Sequence, residues 1–156
     1  MRFQTLVPFA CCALLATAWA APPSFAGTWV FNAGKSRNLG MMAGMADTLT
    51  IEQTAAAMVL RNAAVFNGSK MASTTRFDLN GKAVPNRTPT GDPAQTTSRW
   101  KGAELDTVWT IPGSIQGSTH RRLERRYLSA DGRTLTEVSE TSTSDSKPIV
   151  MVFDRR

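Results

Sequence analysis

The chain has 156 residues, two cysteines, one histidine and a formal net charge of +6. This length fits one domain that buries most of its apolar surface, and we find no second domain. Two adjacent cysteines and one histidine exclude a zinc site built from cysteine and histidine. The positive charge suits acidic partners such as anionic lipid headgroups, but net charge by itself says more about solubility than about function.

The first twenty residues show the three parts of a secretory signal peptide. A positive start at Met1-Arg2 precedes an apolar stretch, Leu6–Ala18, and a small-x-small cleavage site, Ala18-Trp19-Ala20. We therefore predict a cleaved signal peptide over residues 1–20 and one domain over residues 21–156. The product is expected to be periplasmic or secreted, without a transmembrane anchor.

Both cysteines, Cys11 and Cys12, lie within the predicted leader. The mature chain would then have no disulfide and would depend on its core for stability. The alternative is a lipoprotein that keeps one of these cysteines as an acylated N-terminus. Pro8 and Phe9 fit a lipidation motif poorly, so we favour the cleaved leader.

Beyond the leader, apolar and polar residues alternate with a period of two, and glycine-containing turns interrupt the alternation. The predicted strands are Phe25–Asn32, Thr48–Gln53, Met58–Phe66, Met71–Leu79, Thr96–Trp100, Leu105–Ile111, Thr119–Leu128, Leu135–Ser142 and Ile149–Asp154. Two-residue turns that end in glycine predict hairpins at Asn67-Gly68, Asn80-Gly81, Lys101-Gly102 and Asp131-Gly132. We predict an all-β fold, a single antiparallel up-and-down β-barrel of about eight strands, because closure removes exposed edges better than a sandwich does.

The start of the first strand predicts how the barrel is closed. Phe25, Gly27, Trp29 and Phe31 share one face of that strand. We expect the aromatic side chains to plug the base of the barrel and Gly27 to permit a close approach there. Phe25, Gly27 and Trp29 are therefore assigned to structure rather than to ligand binding.

Long connections are predicted over residues 34–46 and 82–93, and long loops in small barrels often cover the mouth or contact partners. The first carries Met41, Met42 and Met45. Methionine packs adaptably against apolar groups, so we expect a flap over the mouth of the barrel. The alternative is a thioether site for copper(I).

Several segments, in order along the chain, carry a family resemblance. They are Phe25–Asn32, Lys35-Ser36, Thr48–Gln53, Leu128–Leu135 and Val152–Arg155. Together they resemble exported bacterial lipocalin-like proteins, which are largely uncharacterised. The resemblance implies an eight-stranded lipocalin-like barrel and a binding rather than a catalytic role. It also implies an arginine packed over the tryptophan of the first strand, for which Arg155 and Arg126 are the candidates.

The inventory of reactive residues does not favour an enzyme. The histidine, His120, lies between Thr119 and Arg121, and no serine occupies a Gly-x-Ser-x-Gly elbow. No glycine-rich phosphate loop or dinucleotide fingerprint is found. We therefore expect no catalytic residue, no metal ion and no cofactor.

The segment Arg121–Leu128 predicts charge inside the barrel, because its alternation leaves neither face apolar. One interpretation is an internal ion pair or a strand that projects beyond the barrel. The other is a counter-ion for a carboxylate-bearing ligand. A tight turn at Asp131-Gly132 places Arg126 opposite Glu137 and Leu128 opposite Leu135.

Two functional hypotheses follow from these patterns. The first is a non-catalytic exported protein that binds a small apolar or amphipathic ligand, with an anionic lipid-like ligand as one form. Its candidate ligand-binding residues are Phe77, Trp100, Trp109, Arg125, Arg126, Met41, Met42 and Met45. The second is an envelope interaction protein with a filled barrel, acting through its loops or basic face. We expect a monomer and no nucleic-acid partner, and a lumen of about 300 Å³ or more would favour the first hypothesis.

Overall fold

The computed structural model of the protein describes residues 21–142 and 147–156, so the predicted signal peptide lies outside the described residues. Ten strands and one short 3₁₀ helix are present in this part of the chain. The strands are β1 (Gly27–Phe31), β2 (Ala46–Gln53), β3 (Ala57–Phe66), β4 (Ser69–Asp78), β5 (Val84–Arg87), β6 (Pro93–Lys101), β7 (Glu104–Pro112), β8 (Thr119–Leu128), β9 (Thr134–Thr141) and β10 (Ile149–Arg155). The 3₁₀ helix, Gly40–Gly44, lies between β1 and β2. Within the described residues, no helix is long and apolar enough to cross a bilayer.

The strands form one antiparallel sheet in the order β4-β3-β2-β1-β10-β9-β8-β7-β6-β5. Because β1 pairs with both β2 and β10, the two ends of the described chain are neighbours and the sheet curls into a barrel. The ends of the sheet, β4 and β5, face each other across a gap. Asn86 of β5 bridges that gap: its side chain accepts a hydrogen bond from the Arg76 N–H at 3.0 Å and donates one to the Arg76 carbonyl at 2.8 Å. The barrel is therefore nearly closed.

The predicted number of about eight strands is wrong, because the described chain has ten. The sequence pattern hides β5, since four residues give little alternation and Pro85 cannot donate to a ladder. The structure tolerates Pro85 because β5 pairs only with β6. The hairpin predicted at Asn80-Gly81 is also wrong: β4 and β5 are not paired there, and Asn80 forms an isolated bridge with Arg99.

The hairpins at Asn67-Gly68 and Asp131-Gly132 lie where the sequence predicts them, whereas the turn predicted at Lys101-Gly102 is shifted by one residue, because Lys101 pairs with Glu104. Phe66 pairs with Ser69 around Asn67-Gly68, where both turn residues have positive φ values, 48° and 78°. This backbone conformation twists in the same sense as the flanking strands, which explains the Asn-Gly sequence. Between β8 and β9, Arg126 pairs with Glu137 and Leu128 with Leu135. The predicted pairing of Arg126 with Glu137 is thus confirmed.

The base of the barrel is the end at which Trp29 meets the last strand. Trp29 is fully buried, and its indole N–H donates to the Phe25 carbonyl at 2.8 Å. The guanidinium of Arg155 lies 4.2 Å from the centre of the indole ring. Gly27 has a φ of +141°, and a Cβ there would lie 2.8 Å from Arg155 Nη1. The positive φ therefore favours glycine at position 27, where an added Cβ would also displace the end of the Arg155 side chain. Arg155 rather than Arg126 covers the tryptophan.

Candidate functional site

The barrel encloses a cavity of about 210 Å³, which we call the lumen. One side of its wall comes from β2, β3, β4, β10 and the first long connection, and it is mostly apolar but also contains Asp47, Asn62, Ser73 and Thr75. Its apolar residues are Met42, Met45, Leu49, Leu60, Ala64, Met71, Met151 and Phe153. The opposite side is polar and is formed by neighbouring strands β7, β8 and β9. An apolar wall facing a few polar groups can hold a small molecule and fix its orientation.

Four charged residues alternate along the polar side, and we call them the charge ladder: Arg122, Glu124, Arg126 and Glu137. Glu124 accepts from Arg122 Nη2 at 2.8 Å and from Arg126 Nη2 at 2.7 Å. Arg126 Nη2 also lies 2.6 Å from Glu137 Oε2. Three of the residues face inward from β8 because residues two apart share a face of a strand. The internal ion pair that the sequence allowed is therefore present, and each arginine already has a carboxylate partner.

Burial and charge act in opposite directions on the pKa values of the ladder. Burial favours the neutral form of Glu124, but the charges of Arg126 and Arg122 hold its pKa below the ordinary value. Burial raises the pKa of Glu137 above its ordinary value, and Arg126 offsets this effect only in part. Burial opposes the charge of Arg126, but Glu137 and Glu124 raise its pKa. Arg126 is therefore charged under all ordinary conditions.

A further buried carboxylate, Asp47, lies across the lumen from the ladder, on β2. Both of its oxygens accept from the Asn62 amide, at 2.8 and 2.7 Å. Burial raises the pKa of Asp47 to about 6, although the hydrogen bond from Asn62 lowers it. Among the described residues, no cation lies within ion-pair distance of this carboxylate.

Aromatic rings cover the arginines of the ladder on one side. The guanidinium of Arg122 lies 4.7 Å from the centre of the Trp109 ring, and that of Arg126 lies 5.2 Å from the centre of the Phe77 ring. Phe77 and Trp109 meet edge to face, with their centres 6.5 Å apart. Each contact places a cation over the negative face of a ring, which is favourable where water is excluded.

An open cleft of about 960 Å³ lies beside the lumen at the gap between β4 and β5. Both spaces share Ala72, Ser73, Arg87 and Pro89 in their walls. Elsewhere along the gap, the Asn86 side chain links β5 to the Arg76 backbone of β4. Its amide also donates to Thr96 Oγ1 at 2.7 Å. The cleft and the lumen are therefore neighbours at this gap.

The structure brings only part of the predicted site together. Arg126, Trp109, Met42 and Met45 line the lumen, and Phe77 packs behind Arg126. The other three candidates lie elsewhere. Arg125 pairs with Glu140 outside the lumen, Trp100 packs on Phe25 with ring centres 5.3 Å apart, and Met41 is 86% exposed.

Sequence reasoning missed several residues of the lumen as parts of a site: Asp47, Asn62, Arg122, Glu124 and Glu137. The alternation of β8 carries a signal for two of them, because an inward Arg126 places Arg122 and Glu124 on the same face, and the hairpin register places Glu137 opposite Arg126. No comparable signal exists for Asp47, which lies just before the predicted start of its strand. Residues 21–142 and 147–156 include no cluster of three or more His, Cys, Asp or Glu side chains arranged to hold a metal ion.

No protein-family model matches the chain, and no curated protein matches it in sequence. Solved structures do match. Fatty-acid-binding protein 1 of Echinococcus granulosus has a TM-score of 0.62 at 15% identity, covering 84% of this chain and 96% of that one. Lipid binding protein 8 of Caenorhabditis elegans has a TM-score of 0.64 at 13% identity, covering 85% and 95%. The fold is a calycin barrel like that of fatty-acid-binding proteins.

Zebrafish ileal bile acid-binding protein, in complex with cholic acid, also shares this fold. Its TM-score is 0.59 at 16% identity, over 85% of this chain and 98% of that one. At such identities the likeness concerns the calycin fold alone.

Proposed function

We propose that the protein is a non-catalytic binding protein that holds a small apolar or amphipathic ligand in the lumen of its barrel. The observation that carries this proposal is the lumen itself, about 210 Å³, in which a mostly apolar wall faces the charged residues of β8 and β9. The structural neighbours named above are fatty-acid-, lipid- and bile-acid-binding proteins, which supports the same class of ligand.

The size of the lumen limits what it holds. At about 210 Å³ it is smaller than the roughly 300 Å³ at which small-molecule pockets usually begin. It accordingly suits a short ligand or one end of a longer one. A longer ligand would extend through the β4–β5 gap into the cleft of about 960 Å³.

The compartment is part of the proposal. We propose that the chain is exported, on the signal-peptide pattern of residues 1–20, and that it belongs with the bacterial lipocalin-like proteins that its motifs resemble. A basic exported chain with a barrel for amphipathic molecules would act as a carrier or scavenger in the envelope.

The second candidate, an envelope interaction protein, keeps one observation in its favour. The lumen is small, and much of the barrel is filled by buried side chains such as Phe25, Trp29 and Phe153. Such a barrel would act through its loops and its basic surface. The two functions differ in whether blocking the lumen abolishes binding.

A matched pair of β3 variants tests the proposal. Ala64 is buried in the wall of the lumen, whereas its neighbour Ala63 is exposed. We expect calorimetric titration to show one ten-carbon amphiphile, decanol or decanoate, bound per chain. Ala64→Phe should weaken that binding at least about tenfold, which is about 1.4 kcal/mol, and Ala63→Phe should leave it unchanged. Equal affinities in the two variants, or no binding to the parent, would contradict the proposal and favour the envelope interaction protein.

A further inference from the structure

The charges that face the lumen define which polar end it accepts. Each arginine of the ladder is already compensated, because Glu124 contacts both arginines and Arg126 contacts both glutamates. A ligand carboxylate that bound Arg126 Nη2 would have to displace Glu124 or Glu137. The displaced glutamate would remain in a largely buried position without its partner, which is strongly unfavourable.

Asp47 adds a negative charge to this balanced ladder. With a pKa of about 6 it is mostly ionised at neutral pH. If Glu137 is ionised as well, the three carboxylates outnumber the two arginines of the ladder. If Glu137 is protonated, the charges balance. In neither state does the lumen have a surplus of positive charge.

A third arginine, Arg87, lies at the rim of the lumen and adds a positive charge that water weakens. It is exposed, and its Nη1 donates to the Gly91 carbonyl at 2.8 Å. Water screens a charge in this position far more than it screens a charge inside the barrel.

The ladder nevertheless has hydrogen bonds to offer a ligand. Arg126 Nε, Arg126 Nη1 and Arg122 Nε have no hydrogen-bond partner among the described residues, and they have almost no accessible surface, so a ligand oxygen would reach them only after a small movement of the arginine side chains. A hydroxyl or carbonyl oxygen would accept from such donors without adding charge. A carboxylate would accept too, but it would bring its negative charge close to Glu124, Glu137 and Asp47.

We infer that the lumen selects an amphiphile whose polar end carries no negative charge, such as an alcohol or an amide, and rejects the corresponding carboxylate. This inference rests on the proposed function, because it concerns the ligand of the same lumen. It differs from the anion contact that the sequence suggested for Arg126, since that arginine is neutralised by residues of this chain.

The test compares decanol with decanoate, which share a ten-carbon chain, by calorimetric titration at about pH 8, where Asp47 and decanoate are both ionised. We expect the parent protein to bind decanol at least about tenfold more tightly than decanoate. Removing one lumenal carboxylate, in Glu137→Gln or in Asp47→Asn, should shift the affinity ratio toward decanoate by at least about tenfold. The control is Glu140→Gln, which removes a carboxylate that pairs with Arg125 outside the lumen and should leave the ratio unchanged.

Two outcomes would overturn the inference while leaving the proposed function intact. One is a parent protein that binds decanoate more tightly than decanol. The other is an affinity ratio that neither lumenal variant shifts, which would show that decanol is preferred only because it is less soluble in water. Asp47→Asn provides the answer if Glu137→Gln does not fold. Failure of both ligands to bind would instead contradict the proposed function, and the inference with it.

Discussion

Arg126 shows how a charge is accommodated inside a small barrel. It is 3% exposed, two glutamates contact its Nη2 atom, and the ring of Phe77 covers its guanidinium. A buried cation is tolerated only with such partners, because its desolvation is not otherwise offset. The residue is therefore first a structural group of the barrel and only then a hydrogen-bond donor for a ligand.

This role predicts unequal effects for two glutamates of β9. Glu137→Gln should lower the free energy of unfolding by about 3 kcal/mol, because it removes one partner of a buried charge and Glu124 compensates only in part. Glu140→Gln should cost about 1 kcal/mol or less, because its pair with Arg125 is screened by water. Urea denaturation of both variants measures the difference. Similar losses would show that the ladder is not insulated from solvent.

Asp47 predicts a stability difference that depends on pH. Its pKa is raised from 3.8 to about 6 in the folded chain, so ionisation costs the folded state more than the unfolded state. The parent protein therefore loses stability as pH rises from about 4 to about 6. The Asp47→Asn variant does not lose stability in this way, because its side chain at position 47 does not ionise. The variant should gain up to about 3 kcal/mol relative to the parent across that window, at about 1.4 kcal/mol per unit of pKa. Urea denaturation at several pH values measures the gain, and a constant difference would contradict the shifted pKa.

At the scale of elements, the gap between β4 and β5 is the weakest part of the barrel wall. The strands of every other neighbouring pair exchange a backbone ladder, but these two are linked through the Asn86 side chain. Segments held by few hydrogen bonds open locally at low free energy. We therefore expect this gap to open before the rest of the sheet.

Asn86→Ala tests that expectation. It should accelerate amide hydrogen exchange of the Arg76 N–H and along β5 at least about tenfold, while exchange in β8 and β9 stays near that of the parent. The control is Gln95→Ala, an exposed residue opposite Pro85 on β6, which should change exchange at neither site. Uniform acceleration across all strands would indicate global destabilisation rather than a local opening.

The sequence predicts a strand or a turn well where the residues of that segment themselves show a clear pattern. Nine strands alternate clearly enough to be found. The Asn67-Gly68 hairpin is also found, because asparagine and glycine tolerate the positive φ values that its turn requires. The strand β5 is hidden because its pairing partner, rather than its own residues, makes it a strand. For the same reason the sequence leaves the inward face of β8 undecided: both faces carry arginine, and only the closed barrel shows which arginines have buried partners.

At the scale of the whole molecule, the positive charge does not extend to the interior. The full chain has a formal net charge of +6, yet the lumen has no surplus of positive charge. The basic character therefore concerns the outer surface and the rim, where charge governs solubility and encounter rather than ligand choice. The base is covered by Arg155 and Trp29, and at the β4–β5 gap the lumen shares part of its wall with the large cleft.

The measurement that tests the central claim most directly is detection of nuclear Overhauser effects between decanol and the side chains of the lumen. Occupation of the lumen predicts contacts from the decanol chain to the methyl groups of Met45 and Leu60 and to the ring of Trp109, which line it from three sides. The exposed methyl group of Met41 should show none. Contacts confined to Met41 or to the outer surface, with none to Trp109, would contradict the claim that this barrel holds its ligand inside.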